Sequence, residues 1–590
     1  MQFYAIIFYT MTKKILLLFL TATGLFTLAV KASAADLSEA TARQTASQLT
    51  SQAEASFLNQ NLKPPPLKLE EKPEIETVQE KEALFEEEPP FFTLKKIKLE
   101  GSTLFTDKDF EKHTSQFLNR QISFAELQKL AQAITNHYRS QGFITSRAYI
   151  PPQTIENDTA VIKIIEGRVG RVRVEGNRYF KSALYENALN VPKDKIFRFQ
   201  ELEASLYFLN QKPDRKARVY LEPGDDSGTS NLILKAEEEN PMHIYYDFNN
   251  RGTKLTHRGR NGVHFDHTNF LGYGDILNTS VVFAEERAFG AGEASYVFPI
   301  DKTGTTLSFG GSYVKSQLIG HVKPFDIEGK TSSISTGATQ SFIKRTNFTF
   351  DGFLGLDITD SKTTVNDLKT SYDRVRVLKL GPQLALQDEG GRTVLSSYAH
   401  WGIPDFLGGL DSSNDPNASR PNAGGEFTYY TGNIARIQRL PWASCLVAKT
   451  GGQWTRDTLV STEQYRLGGA YSVRGYPESD TAGDYGYNFS AELNFPFPFL
   501  PKNKSVPFTK KSWYEALRGV AFIDGGKTFI RERTSEDSVK DKFLLGTGFG
   551  IRADLDRLFS MQLDLGWPIG DDSSDEKDQW QAHLSLKSGI

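Results

Sequence analysis

The sequence predicts a membrane β-barrel of about 16 antiparallel strands preceded by two small α+β domains. Three observations carry this expectation. Glycine (48), phenylalanine (41) and tyrosine (23) are abundant in a chain of 590 residues that is only 39 % hydrophobic and has a mean hydropathy of −0.42. That combination excludes a bundle of membrane helices and suits an all-β chain whose apolar residues are diluted by a polar lumen face. Residues 240–590, 351 in all, alternate with a period of two and lack helical periodicity. At about 10 residues per tilted strand plus turns and loops, such a length accommodates roughly 16 strands. Upstream, a β-α-α-β-β order occurs in residues 91–168 and again in 169–239.

The chain opens on an export leader. Lys13 and Lys14 precede an apolar run from Ile15 to Val30, and Ala32-Ser33-Ala34 offers a small-residue cleavage site. This order makes residues 1–34 a secretory signal peptide. The run is 16 residues, short of the roughly 20 that a spanning helix needs. Residues 35–60 are rich in Ala, Ser, Thr and Gln without Pro or Gly, and suit a polar helix. Residues 61–90 carry six Pro, nine Glu and four Lys and cannot bury a core, so they form an extended linker. A helix on such a tether is a plug candidate, able to reach a position far from its sequence neighbours. A disordered leader fits the composition equally, and both readings stay open at this point.

The first small domain begins with the strand Thr93–Leu99. Phe124, Leu127, Leu130, Ala131, Ile134 and Tyr138 then recur at three- and four-residue spacing as one helical apolar face. Strands Ser146–Ile150 and Thr159–Ile165 follow, closed by Glu166-Gly167. The second domain repeats the plan with strand Gly170–Val174, helices Ser182–Leu189 and Phe199–Leu209, strand Ala217–Leu221, turn Pro223-Gly224 and strand Ser230–Lys235.

In the C-terminal part the alternation is plain. Phe543, Leu545, Thr547, Phe549 and Ile551 share one parity, and Leu544, Gly546, Gly548, Gly550 and Arg552 the other. Met561, Leu563, Leu565 and Trp567 alternate against Gln562, Asp564 and Gly566; Phe489, Ala491, Leu493 and Phe495 alternate against Ser490, Glu492 and Asn494. A soluble β-sandwich also alternates. Small lumen-side residues, an export leader and the long helix-free stretch favour a barrel, with the apolar parity facing lipid.

Two short motifs stand out there. One is Val473-Arg474-Gly475-Tyr476, in Leu467-Gly468-Gly469-Ala470-Tyr471-Ser472-Val473-Arg474-Gly475-Tyr476; the other is Phe522-Ile523-Asp524-Gly525-Gly526. Phe522 and Asp524 share a strand face with Arg518 and Val520. A face with charges must be the lumen, so Asp524 points inward.

These residues carry a family resemblance. The run Tyr138-Arg139-Ser140-Gln141-Gly142-Phe143-Ile144-Thr145-Ser146-Arg147-Ala148, with Pro151-Pro152-Gln153 and Glu166-Gly167-Arg168, resembles the first POTRA domain of two-partner secretion transporters, the haemolysin secretion/activation (TpsB-type) family within the POTRA-plus-barrel superfamily. Leu209-Asn210 and Leu221-Glu222-Pro223-Gly224 resemble its second POTRA domain. The POTRA signature positions are thus Gly142, Arg147, Pro151, Gln153, Glu166, Gly167, Pro223 and Gly224. Val473-Arg474-Gly475-Tyr476 resembles the family's V-R-G-[YF] tip of the sixth extracellular loop, and Phe522, Asp524 and Gly526 its F-x-D-x-G strand motif. Asp247 to Gly252 and Asn269 to Asp275 resemble the start of its barrel. The chain departs from the common aromatic C-terminus, ending Lys587-Ser588-Gly589-Ile590.

The resemblance implies an outer-membrane pore with its POTRA domains in the periplasm. These domains would recognise a large secreted β-rich exoprotein of haemolysin, adhesin or toxin type, and the pore would translocate it unfolded to the cell surface. In the family the loop folds into the barrel and its Arg meets the strand Asp, which implies that Arg474 pairs with Asp524. A guanidinium and a carboxylate form a bidentate, charge-assisted pair able to latch a loop, and lumen-facing Glu492 is a possible second partner. A surface loop is the commonest place for an arginine; what sets Arg474 apart is the carboxylate motif one apolar strand and one turn later. Outer-membrane lipids and the barrel assembly machinery, for its own insertion, are the other implied partners. The alternatives are an insertase assembling outer-membrane barrels, whose branch usually has more POTRA domains, and a passive diffusion pore, which needs neither POTRA domains nor a latch.

No enzyme is expected. Gly526-Lys527-Thr528 looks like the end of a phosphate loop, but position 521 is Ala where the first Gly belongs. The nine His include no H-x-x-x-H pair, and one Cys excludes a Cys-based zinc site, so neither metal nor cofactor is expected. Cys445 reads as a small strand hydrophobe. A net charge of −3 argues against a nucleic-acid partner.

Overall fold

A computed structural model describes Ala46, Thr50 and residues 75–77, 92–189, 194–196, 198–301, 304–509, 511–531, 541–556, 559–570 and 580–589. The signal peptide expected at 1–34 lies outside these residues, as does most of the helix and linker expected at 35–90.

The first described strand, β1 (Ile75–Thr77), belongs to the linker. The first domain then comprises β2 (Phe92–Leu94), β3 (Lys96–Glu100), helix Asp107–Thr114, β4 (Arg120–Ile122), helix Phe124–Ser140, β5 (Arg147–Tyr149) and β6 (Thr159–Ile165). The strand expected at 93–99 is split at Lys95. The backbone N–H groups of Lys95 and Lys96 both donate to the Asp158 carbonyl, at 2.9 and 3.1 Å, leaving β2 to pair with β4 and β3 with β6. Helix Phe124–Ser140 starts at a capping box in which the Ser123 side chain and Glu126 satisfy each other's backbone N–H groups. Its apolar face buries Leu127, Leu130, Ala131, Ile134 and Tyr138 against Leu94, Ile162 and Ile164. Phe124, expected on that face, is exposed, because the first residue of the helix sits beyond the edge of the core.

The second domain contains β7 (Arg168–Glu175), helices Ser182–Leu189 and Phe199–Asn210, β8 (Arg215–Pro223) and β9 (Thr229–Glu238). Its sheet has the order β1-β8-β9-β7, so the linker strand lies on the β8 edge. The two domains meet where the Phe199 N–H donates to the Gly142 carbonyl at 2.9 Å and the Arg198 guanidinium lies 5.2 Å from the centre of the Phe143 ring.

Sixteen antiparallel strands then close into a barrel, from Met242–Asn249 to Gln581–Gly589, with residues Tyr245 to Asn249 of the first strand opposite Gly589 to Ser585 of the last. Across the seam, Lys587 of the final strand lies 3.4 Å from the ring centre of Tyr245. Val281, Ile334 and Phe549 face outward, whereas Leu544, Gly546 and Gly548 are buried on the lumen side. The two parities thus separate into a lipid face and a lumen face. Among the described residues no helix is long and apolar enough to cross a membrane.

The second domain is tied to the first periplasmic turn. His243 of the first barrel strand lies 2.8 Å from Asp214, and the Asn269 side-chain amide donates to the Tyr179 carbonyl at 3.0 Å. Asp275 caps the same turn by accepting from the backbone of Leu271 and Tyr273 at 2.8 and 3.0 Å. The barrel-start motif Asn269 to Asp275 therefore builds the turn that ties the barrel to the second domain.

Candidate functional site

The eleventh barrel strand, Ser444–Thr455, is joined to the twelfth, Tyr485–Pro496, by a loop of residues 456–484 that folds into the barrel. Inside it, Tyr465–Leu467 pairs with Thr481–Gly483 as a short hairpin. The Thr481 hydroxyl lies 2.9 Å from that of Thr528 on the thirteenth strand, Leu517–Phe529. Gly526 of that strand abuts Leu467.

At the hairpin tip Val473, Arg474, Gly475 and Tyr476 are all buried. The Arg474 side chain donates from Nε and Nη2 to Asp524 Oδ2 and Oδ1 at 2.7 and 3.0 Å, and its backbone N–H donates to Oδ2 at 3.1 Å. A third side-chain donor, Nη1, reaches Glu492 Oε2 at 2.7 Å and lies 3.6 Å from Asp564. The guanidinium also stacks on Phe522, 3.5 Å from its ring centre. The structure thus brings together the tip residues, Phe522, Asp524 and Glu492.

Sequence reasoning missed two members of this cluster. Arg552 donates to Asp564 at 2.6 and 3.1 Å and approaches Glu492 at 3.4 Å. Two guanidiniums therefore stand among three carboxylates in the lumen, with Asp524 and Asp564 almost wholly buried. Buried charge on this scale persists only when paired and hydrogen-bonded. Their lumen parity was legible in the strand alternation, but which of many lumen charges meet was not.

Backbone geometry makes the seat close-fitting. Gly475 has φ +101°, and a Cβ there would meet the Trp567 carbonyl carbon at 2.9 Å. On the wall, a Cβ at Gly546 would come within 1.9 Å of the Arg474 carbonyl oxygen. Tyr476 adds hydrogen bonds through its hydroxyl to the Leu545 carbonyl at 3.3 Å and from the Gly570 N–H at 3.2 Å. Its neighbour Gly475 donates to His583 Nε2 at 3.5 Å.

The tip consequently touches five consecutive strands, the twelfth through the sixteenth. It also crosses the barrel seam. Tyr471 bonds to Arg251, in the loop after the first strand, whose guanidinium lies 4.4 Å from the Tyr471 ring centre.

A further closure lies on the extracellular side. Arg420, from the loop after strand Gly391–Gly402, donates to Asp484 at 2.5 Å and to the Leu459 carbonyl at 2.8 Å. Leu410, Ala423 and Phe427 pack there with Leu459 and Val460. Near the opposite wall, Ala46 is buried with Leu318, Val322 and Ile327, and the Thr50 hydroxyl lies 3.0 Å from that of Thr363.

The POTRA signature residues do not gather into one site. Glu166 accepts from the backbone N–H groups of Thr103 and Leu104 at 2.8 and 2.9 Å and from the Tyr138 hydroxyl at 2.9 Å. Burial raises its carboxyl pKa, but bonds from Thr103, Leu104 and Tyr138 outweigh burial and hold it below the usual glutamate value. The Gly167 N–H donates to the Ser146 hydroxyl at 3.0 Å. The Gln153 amide mimics a strand neighbour, accepting from the Val161 N–H at 2.8 Å and donating to the Val161 carbonyl at 2.7 Å. Pro151 follows β5, where Arg147 is exposed, and Pro223 ends β8 as Gly224 opens the turn into β9. Glu166, Gly167 and Gln153 thus organise the framework of the first domain.

Comparison with known proteins places this architecture. A family model described as haemolysin secretion/activation protein ShlB/FhaC/HecB matches residues 228–553, and one described as POTRA domain, ShlB-type, matches residues 92–167. The outer membrane transporter CdiB of Dickeya dadantii (strain 3937) is 24 % identical over 488 residues, 81 % of this chain and 83 % of that protein. The heme/hemopexin transporter protein HuxB of Haemophilus influenzae (strain 86-028NP) is 22 % identical over 479 residues, 80 % of this chain and 82 % of that protein. Among solved structures, CdiB from Escherichia coli is similar in fold, with a TM-score of 0.68 at 20 % identity, covering 95 % of this chain and 100 % of that one.

Proposed function

The chain belongs to the ShlB/FhaC/HecB family of haemolysin secretion/activation proteins, and from that premise we propose that its POTRA domains recognise one large exoprotein, which its barrel then exports unfolded. The protein is a two-partner secretion transporter of the outer membrane, and its POTRA domains lie in the periplasm.

The observation that carries the finer reading is the lumen loop held to the wall by Arg474. A chain cannot thread the lumen while that loop and the extracellular closure fill it. Export therefore needs a resting state held by discrete contacts and a displaced state reached when substrate arrives. Arg474, Asp524 and Glu492 are the latch, with Phe522 as its floor and Gly475 as the tip that lets the backbone approach the wall. The buried Ala46 and Thr50 support a plug formed by the 35–60 segment. An extended partner would add a strand to a POTRA sheet edge, where backbone hydrogen bonds supply affinity and side-chain pockets selectivity. Folding outside the cell would then make passage irreversible without a nucleotide.

The test places photo-crosslinking side chains on the POTRA domains of the full-length transporter in its native host and identifies the adducts by mass spectrometry. One large, repeat-rich exported protein is expected. A broad set of unfolded outer-membrane barrels would refute this reading in favour of an insertase.

A further inference from the structure

The linker strand β1 occupies a position that an exported partner would need. It runs parallel to β8, with Ile75, Glu76 and Thr77 opposite Val219, Tyr220 and Leu221. β8 is bonded to β9 on its other side, so β1 covers what would otherwise be an open sheet edge. Such an edge is a template for any extended chain. The linker's composition suits this edge, since residues 61–90 include nine Glu and β8 carries Arg215, Lys216 and Arg218.

We propose that β1 is an internal stand-in for the partner, and that an extended acidic and apolar segment of the exported protein displaces it from β8, freeing the plug tether. The displacement part rests on the export reading above; the occupied edge does not.

Three features make exchange feasible. Cover is short, because β8 has nine residues and, among the described residues, β1 pairs with three of them. Upstream of that cover the edge is already taken, because the Asn210 side chain accepts from the Ala217 N–H at 2.7 Å and donates to the Ala217 carbonyl at 3.0 Å. β1 is thus held only over Val219 to Leu221, and an incoming strand that pairs there and on toward Pro223 can peel it away.

Release also lengthens the tether. With β1 docked, 25 residue steps join Thr50 to its anchor at Ile75; once β1 leaves, 42 steps join Thr50 to Phe92. At about 3.3 Å per extended residue, the maximum reach of the plug grows from about 80 to about 140 Å. The tethered strand also competes at high effective concentration, so a foreign segment must make more than three pairs to win. This favours a long extended signal over random unfolded chains.

The experiment uses the full-length transporter in a Cys445→Ser background. Glu76→Cys with Tyr220→Cys, facing each other across the two strands, should form a disulfide on mild oxidation. Failure to cross-link overturns the occupied edge. Cross-linking should lower export and bilayer conductance at least tenfold, both returning on reduction. Full export from the oxidised protein overturns displacement, while the reduced protein shows whether the transporter exports at all.

As a second arm, Glu76→Pro removes an N–H from β1. A fluorescent peptide with the sequence of residues 73–80 should then bind at least tenfold more tightly than to the wild type, and binding should weaken at high salt. Equal affinity for both proteins would overturn the proposal. If cross-link and peptide behave as expected but no partner is exported even by the wild type, the export reading fails and the self-occupied edge stands.

Discussion

Replacing Arg474 with alanine removes three side-chain hydrogen bonds to carboxylates and the stacking on Phe522. Glu492 keeps Asn494 at 3.0 Å and Arg552 at 3.4 Å, but Asp524, only 1 % exposed, loses its guanidinium partner altogether. Breaking a buried pair by removing one member costs about 3–5 kcal/mol. At about 1.4 kcal/mol per tenfold, the seated loop should lose about two to three and a half orders of magnitude in population relative to the displaced loop. Hydrogen exchange of residues 468–480 in the purified, folded transporter reads this directly, and export of the partner should fall at least tenfold. Arg474→Lys keeps the charge without the planar fork and should lie between alanine and wild type. A double-mutant cycle with Asp524→Ala should show coupling of about 2–3 kcal/mol. Unchanged exchange protection in the alanine variant, with the barrel intact, would refute the latch.

Wall packing gives a second test that leaves every charge in place. Gly546→Val would press on the Arg474 carbonyl, since even a Cβ there comes within 1.9 Å, and residues 468–480 should become protease-sensitive. Deleting residues 35–60 should raise bilayer conductance and sensitivity to antibiotics too large for the outer membrane; unchanged values would remove the plug. In the first POTRA domain, Glu166→Gln should cost about 1–3 kcal/mol in the exchange protection of residues 101–106, because the amide cannot replace the charged acceptor. The wild type should show a matching pH dependence. Its Glu166 pKa is depressed on folding, so that stability is fully present above the ordinary glutamate value of 4.5 and is lost as pH falls below it through the folded value.

Local pattern alone determined much of this protein. The barrel follows from period-two alternation, which separates lipid face from lumen face in any register that buries one side, and its strand count from the length of the alternating stretch. The helix at 124–140 and strand β6 follow from spacing and caps, which act within a few residues. Phe522 and Asp524 belong together because they lie two apart on one strand. Tertiary structure decided what meets across the lumen. Arg552 and Asp564 carry the same parity as many other lumen residues, and only barrel closure brings them beside Arg474 and Glu492. The split at Lys95 arises because Asp158, more than sixty residues away, captures two backbone donors. The docking of β1 on β8 joins positions more than 140 residues apart, and three residues of a Pro- and Glu-rich linker carry no strand signal of their own. Side-chain periodicity is a property of one segment, whereas ion networks and edge pairing depend on where distant segments arrive, which closure of the barrel and packing of the sheets determine.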